Sequence, residues 1–498
     1  MLLLGIDIGT SSVKVSVIDA NTQRSLASAQ YPDIESPILA LKPGWAEQSP
    51  DMWWQQFQHA LALCHQTGAY NPNDITAIGI AYQMHGLVLV DKNQQVLRDS
   101  IIWCDSRAVE IGDDAFNAIG HEACLASLLN SPGNFTASKL AWVKQNEPQI
   151  YAQIDKVMLP GDFIAMKLTG EINTSFSALS EGIFFDFKTN TLSKAVIDYF
   201  GFDECLFPPI QPVFSPHGNL TVAVAEKLKL KAGIPVSYKA GDQPNNALSL
   251  NVLKPGEVAA TAGTSGVIYG VSDKLAYDVQ SRVNTFAHVN YTEEQRRLGV
   301  LLCINGTGSM YRWIRNVFGS TLSYQQMNNE AKQAPLGSDG LRVLPFGNGA
   351  ERMLNNKQVG AHIHNIDLNL HSQAHVLRAV QEGIACAFRY GLDIMRQNGM
   401  NPTVIRAGKS NLFLSELFTE TFVNVTGVPV ELYKNDGSIG AALGAGIGAG
   451  IFASPAEAFN NMHPVQLIEP KSTEQIETVY HEWETLLKKQ LAINNLNQ

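Results

Sequence analysis

Short apolar runs of strand length alternate with amphipathic stretches along most of the chain, a pattern that predicts an α/β protein. Leu2 to Ile8 and Val13 to Ile18 read as two strands separated by the small, hydroxyl-rich turn Gly9-Thr10-Ser11-Ser12. Ile75 to Ala81 is a third strand that runs straight into Tyr82-Gln83-Met84-His85-Gly86, with a fourth from Leu87 to Val90. Pro235 to Ala240 predicts a strand that ends at Gly241-Asp242 and opens into a helix. Val258 to Ala262 and Val267 to Val271 predict a second hairpin, and the segment from Val404 to Asn411 leads into a helix through Phe422. Ser49 followed by Pro50 marks a helix start, with Trp53 and Trp54 as packing residues.

The one long uncharged stretch, Gly437 to Ala456, is mainly Gly and Ala and holds few large apolar residues, unlike a lipid-facing span. Its Gly440, Gly444 and Gly448 recur every fourth residue, which suits a helix packed tightly in a protein core.

The two predicted hairpins echo one another. Ile6-Asp7-Ile8-Gly9-Thr10-Ser11-Ser12-Val13 is repeated as Ala260-Thr261-Ala262-Gly263-Thr264-Ser265-Gly266-Val267, both carrying Gly-Thr-Ser-x-Val. Glycine in such a turn admits an anion close to the backbone, while hydroxyls and successive N–H groups donate to its oxygens. Either turn alone is explained as readily by turn geometry; the duplication favours a pair of facing hairpins that clamp a polyphosphate. Asp7 in the first copy stands where Thr261 stands in the second, and one carboxylate beside a polyphosphate suits Mg²⁺, which commonly takes one or two carboxylates plus phosphates and waters.

Other nucleotide-binding signatures fail. Gly408-Lys409-Ser410 ends like a P-loop, but position 403 is Thr where that loop needs Gly. The turn at Gly9 lacks G-x-G-x-x-G before a helix, which removes the main support for a dinucleotide-dependent dehydrogenase.

Length and composition add limits. At 498 residues the chain exceeds one ordinary core, and two large lobes are expected. Its formal charge of −10, with no Lys/Arg run, disfavours a nucleic-acid or anionic-membrane partner. The six cysteines are widely spaced without CxxC and read as reduced thiols, and the Leu-rich start meets Asp7 too soon for a signal peptide; a cytoplasmic location is expected. His362, His364 and His371 gather no further ligand spacing, so zinc is not expected.

Among candidate chemical groups, Asp242 lies at a strand-to-helix junction shortly before the second hairpin. It reads either as a helix cap or as a base that accepts the proton of an attacking hydroxyl. His85 is either a satisfied structural histidine or a sugar-hydroxyl partner, and Asp105 and Arg107 either pair together or reach hydroxyls.

Taken in order along the chain, these segments resemble the FGGY carbohydrate kinases, and within them the xylulokinases, over essentially the whole sequence. Gly5-Ile6-Asp7-Ile8-Gly9-Thr10-Ser11 is similar to the family's first phosphate hairpin and Gly263-Thr264-Ser265-Gly266 to its second. Gln83-Met84-His85-Gly86 and Trp103-Cys104-Asp105-Ser106-Arg107 resemble the xylulokinase sugar segments, as do Asn134 to Trp142 and Leu159 to Ile164. The resemblance implies two actin-like (ribonuclease H-like) α/β lobes around a central cleft, roughly 1–243 for the sugar and 244–498 for the nucleotide. It implies phosphorylation of D-xylulose by Mg²⁺-ATP, with a homodimer expected at the level of the family. Asp242 would be the catalytic base, with Met84, His85, Asp242 and Gln243 on the sugar. Thr10, Ser11, Gly263, Thr264, Gly306, Gly408, Lys409 and Asn411 would hold the nucleotide, and Asp7 the metal.

Three segments depart from the family pattern. Gly241-Asp242-Gln243-Pro244 is nearer the glycerol kinase form than the common xylulokinase Gly-Asp-Asn-Ala. Ala407-Gly408-Lys409-Ser410 lacks the usual glycine run beside the adenosine. Phe346 to Met353 keeps Glu351-Arg352 without the usual Thr-Pro.

Overall fold

A computed structural model describes residues 1–318, 321–434, 436–471 and 473–496. Two mixed sheets dominate it. The first has strands β1 (Leu2–Ile8), β2 (Val13–Asp19), β3 (Ser25–Tyr31), β4 (Ile75–Tyr82) and β5 (Val236–Gly241), in the order β5-β4-β1-β2-β3. The second has β6 (Glu257–Ala262), β7 (Gly266–Ser272), β8 (Asn284–Ala287), β9 (Leu298–Ile304), β10 (Val404–Gly408), β11 (Val430–Tyr433) and β12 (Gln466–Ile468), in the order β8-β9-β7-β6-β10-β11-β12.

The sequence echo extends to topology. β1 pairs antiparallel with β2 and parallel with β4, and β6 likewise pairs antiparallel with β7 and parallel with β10. Stripped of its edge strands β8 and β12, the second sheet repeats the first strand for strand. β1 and β5 are buried on both faces, apart from the half-buried Asp7; β1 reads as a near-continuous apolar run, while β5 carries Ser237 and Lys239, whose polar groups bond to the Ala445 carbonyl and to Asp162.

Two helices join the lobes: α1 (Asp242–Ser249), which follows β5, and α2 (Gly437–Gly448), which follows β11 at the equivalent place in the duplicated topology. α2 comes late in the chain yet docks on β1, β4 and β5 of the first sheet, so residues from both ends of the sequence complete that lobe. The approach is close enough to require its glycines. A Cβ on Gly448 would stand 1.8 Å from the Ser237 carbonyl oxygen, and one on Gly79 in β4 would stand 1.9 Å from that of Ala441. The every-fourth-residue glycines expected to serve tight packing do so. Ser49-Pro50 opens a helix over Pro50–Gln66, with Trp53 and Trp54 buried. Among the described residues no helix is long and apolar enough to cross a membrane.

Candidate active site

The N-terminal end of α1 lies where both lobes meet. Gly241 occupies the N-cap position and Asp242 is the first helical residue. Its carboxylate lies among the first-turn amides, with the backbone N–H groups of Gln243 and Asp242 and the Gln243 side chain as partners, at the end of a helix whose dipole favours negative charge. Burial, and next the like charge of Asp7, push its pKa up to about 7. Further along α1, Asn245 donates to the carbonyl of Gly437 at 2.8 Å and Asn246 to the Thr261 hydroxyl at 3.4 Å, which ties this helix to α2 and to the second hairpin.

Asp7 ends β1 half-buried, next to the start of α2, where a Cβ on Gly437 would meet Asp7 Oδ2 at 2.2 Å. Burial and then the charge of Asp436 raise its pKa to about 6, while Lys14 opposes the rise. Asp436 caps α2 by accepting from the Ser438 N–H at 2.9 Å and the Ser438 hydroxyl at 2.6 Å, and it pairs with Lys14. Among the described residues no group of three or more His, Cys, Asp or Glu could hold a metal. Asp7 and Asp436 are the carboxylates that meet here, a donor set that would suit an ion bound together with phosphate oxygens.

In the first hairpin turn, the Thr10 hydroxyl donates to Gln83 Oε1 at 3.0 Å and accepts from Trp103 Nε1 at 2.9 Å. Ser11 is exposed, and its carbonyl accepts from the backbone and hydroxyl of Ser36. The hairpin is thus linked through Gln83 and the half-exposed Trp103 to the segments expected to meet the sugar.

His85 follows β4 in a left-handed conformation at φ 63°. Its Nδ1 lies 3.0 Å from the carbonyl oxygen of Glu181, its backbone N–H donates to Glu181 Oε1 at 3.3 Å, and its carbonyl accepts from Lys139 Nζ at 2.9 Å. The rings of Phe135 and Phe286 flank the imidazole at 4.8 and 5.5 Å. Burial, and then the charge of Lys139, lower its pKa to about 3, so the ring is neutral. With Nδ1 donating to a carbonyl, Nε2 carries a lone pair and can accept from a hydroxyl. Met84 is buried against Gly241, where a Cβ would meet its Cγ at 2.6 Å, and Gln243 stands half-buried beside Asp242. Asp105 and Arg107 pair with each other at 2.7 Å in a buried network in which Arg107 also meets Glu47 at 2.6 Å and stacks 3.8 Å from the Trp45 ring. Of the two roles open to that pair, the structure realises the ion pair.

On the second lobe, a cavity of about 510 Å³ is lined by Gly263 and Thr264 of the β6–β7 turn, by Asn411, and by Gly308, Tyr311, Arg312 and Tyr324. Gly408 borders a neighbouring cavity of about 180 Å³ that also touches Thr261, Asp436 and Gly437, joining the second hairpin to the neighbourhood of Asp7. Two predicted nucleotide residues lie apart from these walls. A Cβ on Gly306 would collide with the Pro345 carbonyl at 1.6 Å, so this glycine serves backbone packing, and Lys409 Nζ reaches Gln466 Oε1 at 3.3 Å. The residue that meets the hairpin is Gly308, whose N–H donates to the Gly263 carbonyl at 2.9 Å. Gly306-Thr307-Gly308-Ser309 was the sequence signal for it, a second glycine and hydroxyl cluster before a helix. Glu181 and Asp436 had no comparable signal, since each reaches the site only through tertiary packing.

Duplicated hairpin lobes that meet at a joining helix, with a carboxylate at its N-terminal end, have the form of a phosphotransferase of the actin-like class. Residues 2–249 match the N-terminal domain of the FGGY family of carbohydrate kinases and residues 258–451 its C-terminal domain; the chain belongs to that family. It is 29% identical over 467 residues to the xylulose kinase of Escherichia coli (strain K12), covering 93% of this chain and 92% of the relative. The structure of a xyloylose kinase from Brucella ovis aligns with TM-score 0.89 at 26% identity, over 99% of this chain and 100% of the other. A glycerol kinase from Plasmodium falciparum with ADP shares the fold, at TM-score 0.89, 20% identity and 98% coverage of each chain. The protein is a carbohydrate kinase.

Proposed function

We propose that this kinase transfers the γ-phosphoryl group of ATP to the 5-hydroxyl of D-xylulose, with Asp242 as general base. The observation that carries the reading is the state of Asp242: a carboxylate at the start of the joining helix, its pKa raised to about 7 by burial and by the hairpin carboxylate Asp7, next in sequence to Gly241, which packs against Met84. A base whose pKa lies close to the operating pH is the one best suited to take a hydroxyl proton during transfer.

In this reading Met84, neutral His85 and Gln243 border the sugar, and Nε2 of His85 accepts from one of its hydroxyls. Asp242 draws the proton from the attacking oxygen as that oxygen bonds to phosphorus and ADP leaves in line. The turns at Thr10-Ser11 and Gly263-Thr264 flank the phosphates, and the cavity around Asn411 and Tyr324 receives the rest of the nucleotide. Asp7 would hold Mg²⁺, which neutralises phosphate charge in such transfers.

The Gly241-Asp242-Gln243 sequence supports a second reading within the family, a kinase for glycerol or another ketose. The test is kcat/KM for ADP release with D-xylulose, D- and L-ribulose, glycerol and gluconate. A clear preference for D-xylulose is expected; a preference for another acceptor replaces it, and no acceptor-dependent release would point to a silent nucleotide-binding protein.

A further inference from the structure

Glu181 is fully buried at the C-terminal end of a short helix, Phe176–Glu181, and the sugar-binding reading above does not use it. It grips His85 at two points. Its side-chain Oε1 accepts from the His85 backbone N–H at 3.3 Å and its own carbonyl oxygen faces His85 Nδ1 at 3.0 Å. The other side-chain oxygen, Oε2, is buried without a hydrogen-bond partner and lies 2.7 Å from where a Cβ on Gly241 would stand, directly before Asp242. The preceding residue, Ser180, accepts from the Ala287 N–H in β8 at 2.8 Å, so this short helix is also anchored to the second lobe.

His85 needs such a clamp. Its left-handed backbone is unfavourable for a non-glycine residue and persists only where its surroundings hold it. We propose that Glu181 is a positioning residue for sugar recognition, holding the backbone and imidazole of His85 so that Nε2 meets a sugar hydroxyl. This rests on the reading that His85 contacts the sugar.

The role needs an acceptor oxygen and the volume of the side chain, not a negative charge. His85, Tyr82, Asp162, Asp242 and Tyr269 face the carboxyl, and burial, against the His85 N–H bond, holds it well above the usual carboxylate range. The contact to the His85 N–H uses an acceptor oxygen at the end of a side chain of this length, and the isosteric amide supplies both.

The test is a set of four variants, Glu181→Ala, Glu181→Gln, His85→Ala and the double alanine, each checked for cooperative unfolding and assayed for KM of sugar, KM of ATP and sugar-independent ATP hydrolysis. Losing a buried acceptor should raise the sugar KM of Glu181→Ala roughly tenfold. ATP KM and the sugar-independent rate should hold, Glu181→Gln should restore the sugar KM to within about threefold, and Glu181→Ala should add nothing further in the His85→Ala background. A full additional increase in the double variant overturns the proposal, because Glu181 would then act independently of His85. So does a Glu181→Gln variant as impaired as Glu181→Ala, or a Glu181→Ala variant with unchanged sugar KM. If His85→Ala itself leaves the sugar KM unchanged, the reading of His85 as a sugar contact fails, and the role of Glu181 with it. If Glu181→Ala does not fold, the comparison of Glu181→Gln with wild type decides: a sugar KM raised roughly tenfold rejects the role and near-equality upholds it.

Discussion

Asp242 keeps its proton to about pH 7 because it is buried and because Asp7 faces it with a like charge. The first hairpin therefore acts on the joining helix: the carboxylate of Asp7 raises the pKa of the candidate base.

A pH dependence follows. The base works only when unprotonated, so kcat/KM for the sugar should fall as pH drops through the pKa of Asp242, approaching about tenfold per pH unit. Neutralising Asp7 with a bound cation removes part of the upward push, so raising Mg²⁺ should move this acid limb below 7. A profile flat from about pH 5 to 8 would contradict the base assignment.

The same shift predicts a cost in stability. A carboxyl that binds its proton more tightly in the folded than in the unfolded state contributes stability at low pH, and this is lost as pH rises through its folded pKa of about 7. Asp242→Asn should therefore melt higher than wild type at pH 8, with the advantage disappearing toward pH 4, as thermal unfolding at the two pH values will show.

Gly308 opens the helix Gly308–Val317, which meets the turn of the second hairpin through Gly308 and Ser309, and a Cβ on Gly308 would stand 2.4 Å from the Gly263 carbonyl oxygen. Gly308→Ala should displace the hairpin and raise the KM for ATP by roughly 5- to 150-fold, the equivalent of about 1–3 kcal/mol of overpacking, with the sugar KM little changed. Steady-state kinetics with each substrate varied in turn checks the split.

Gly448→Ala places a methyl group against the Ser237 carbonyl where α2 docks on β5. It should cost about 1–3 kcal/mol of stability, read from denaturant unfolding, since neither backbone can yield without breaking the lobe contact.

Much of the frame was legible in the sequence because local rules govern it. Both hairpins follow from alternation and a Gly-Thr-Ser turn, and the strand before Asp242 from its end at Gly241-Asp242 and the helix that opens there. The glycine spacing of α2 announced its close packing, but not that it packs on the first sheet, since docking partners are set by topology. Glu181 and Asp436 stayed hidden for the same reason: nothing near them in sequence marks an acid that will meet His85 or Asp7. At the second hairpin, the family resemblance pointed to Gly306, while the turn of the chain brought Gly308 to Gly263. Lys409, expected beside the nucleotide from the same resemblance, reaches Gln466 with its side chain.

The most direct test of the account is acceptor-dependent ADP release by Asp242→Asn against wild type with saturating Mg²⁺-ATP and D-xylulose, alongside calorimetric binding of both substrates. The account predicts turnover lower by about 10²–10⁴-fold with sugar and nucleotide still bound, the span that general base catalysis supplies. Turnover within about threefold of wild type would contradict it.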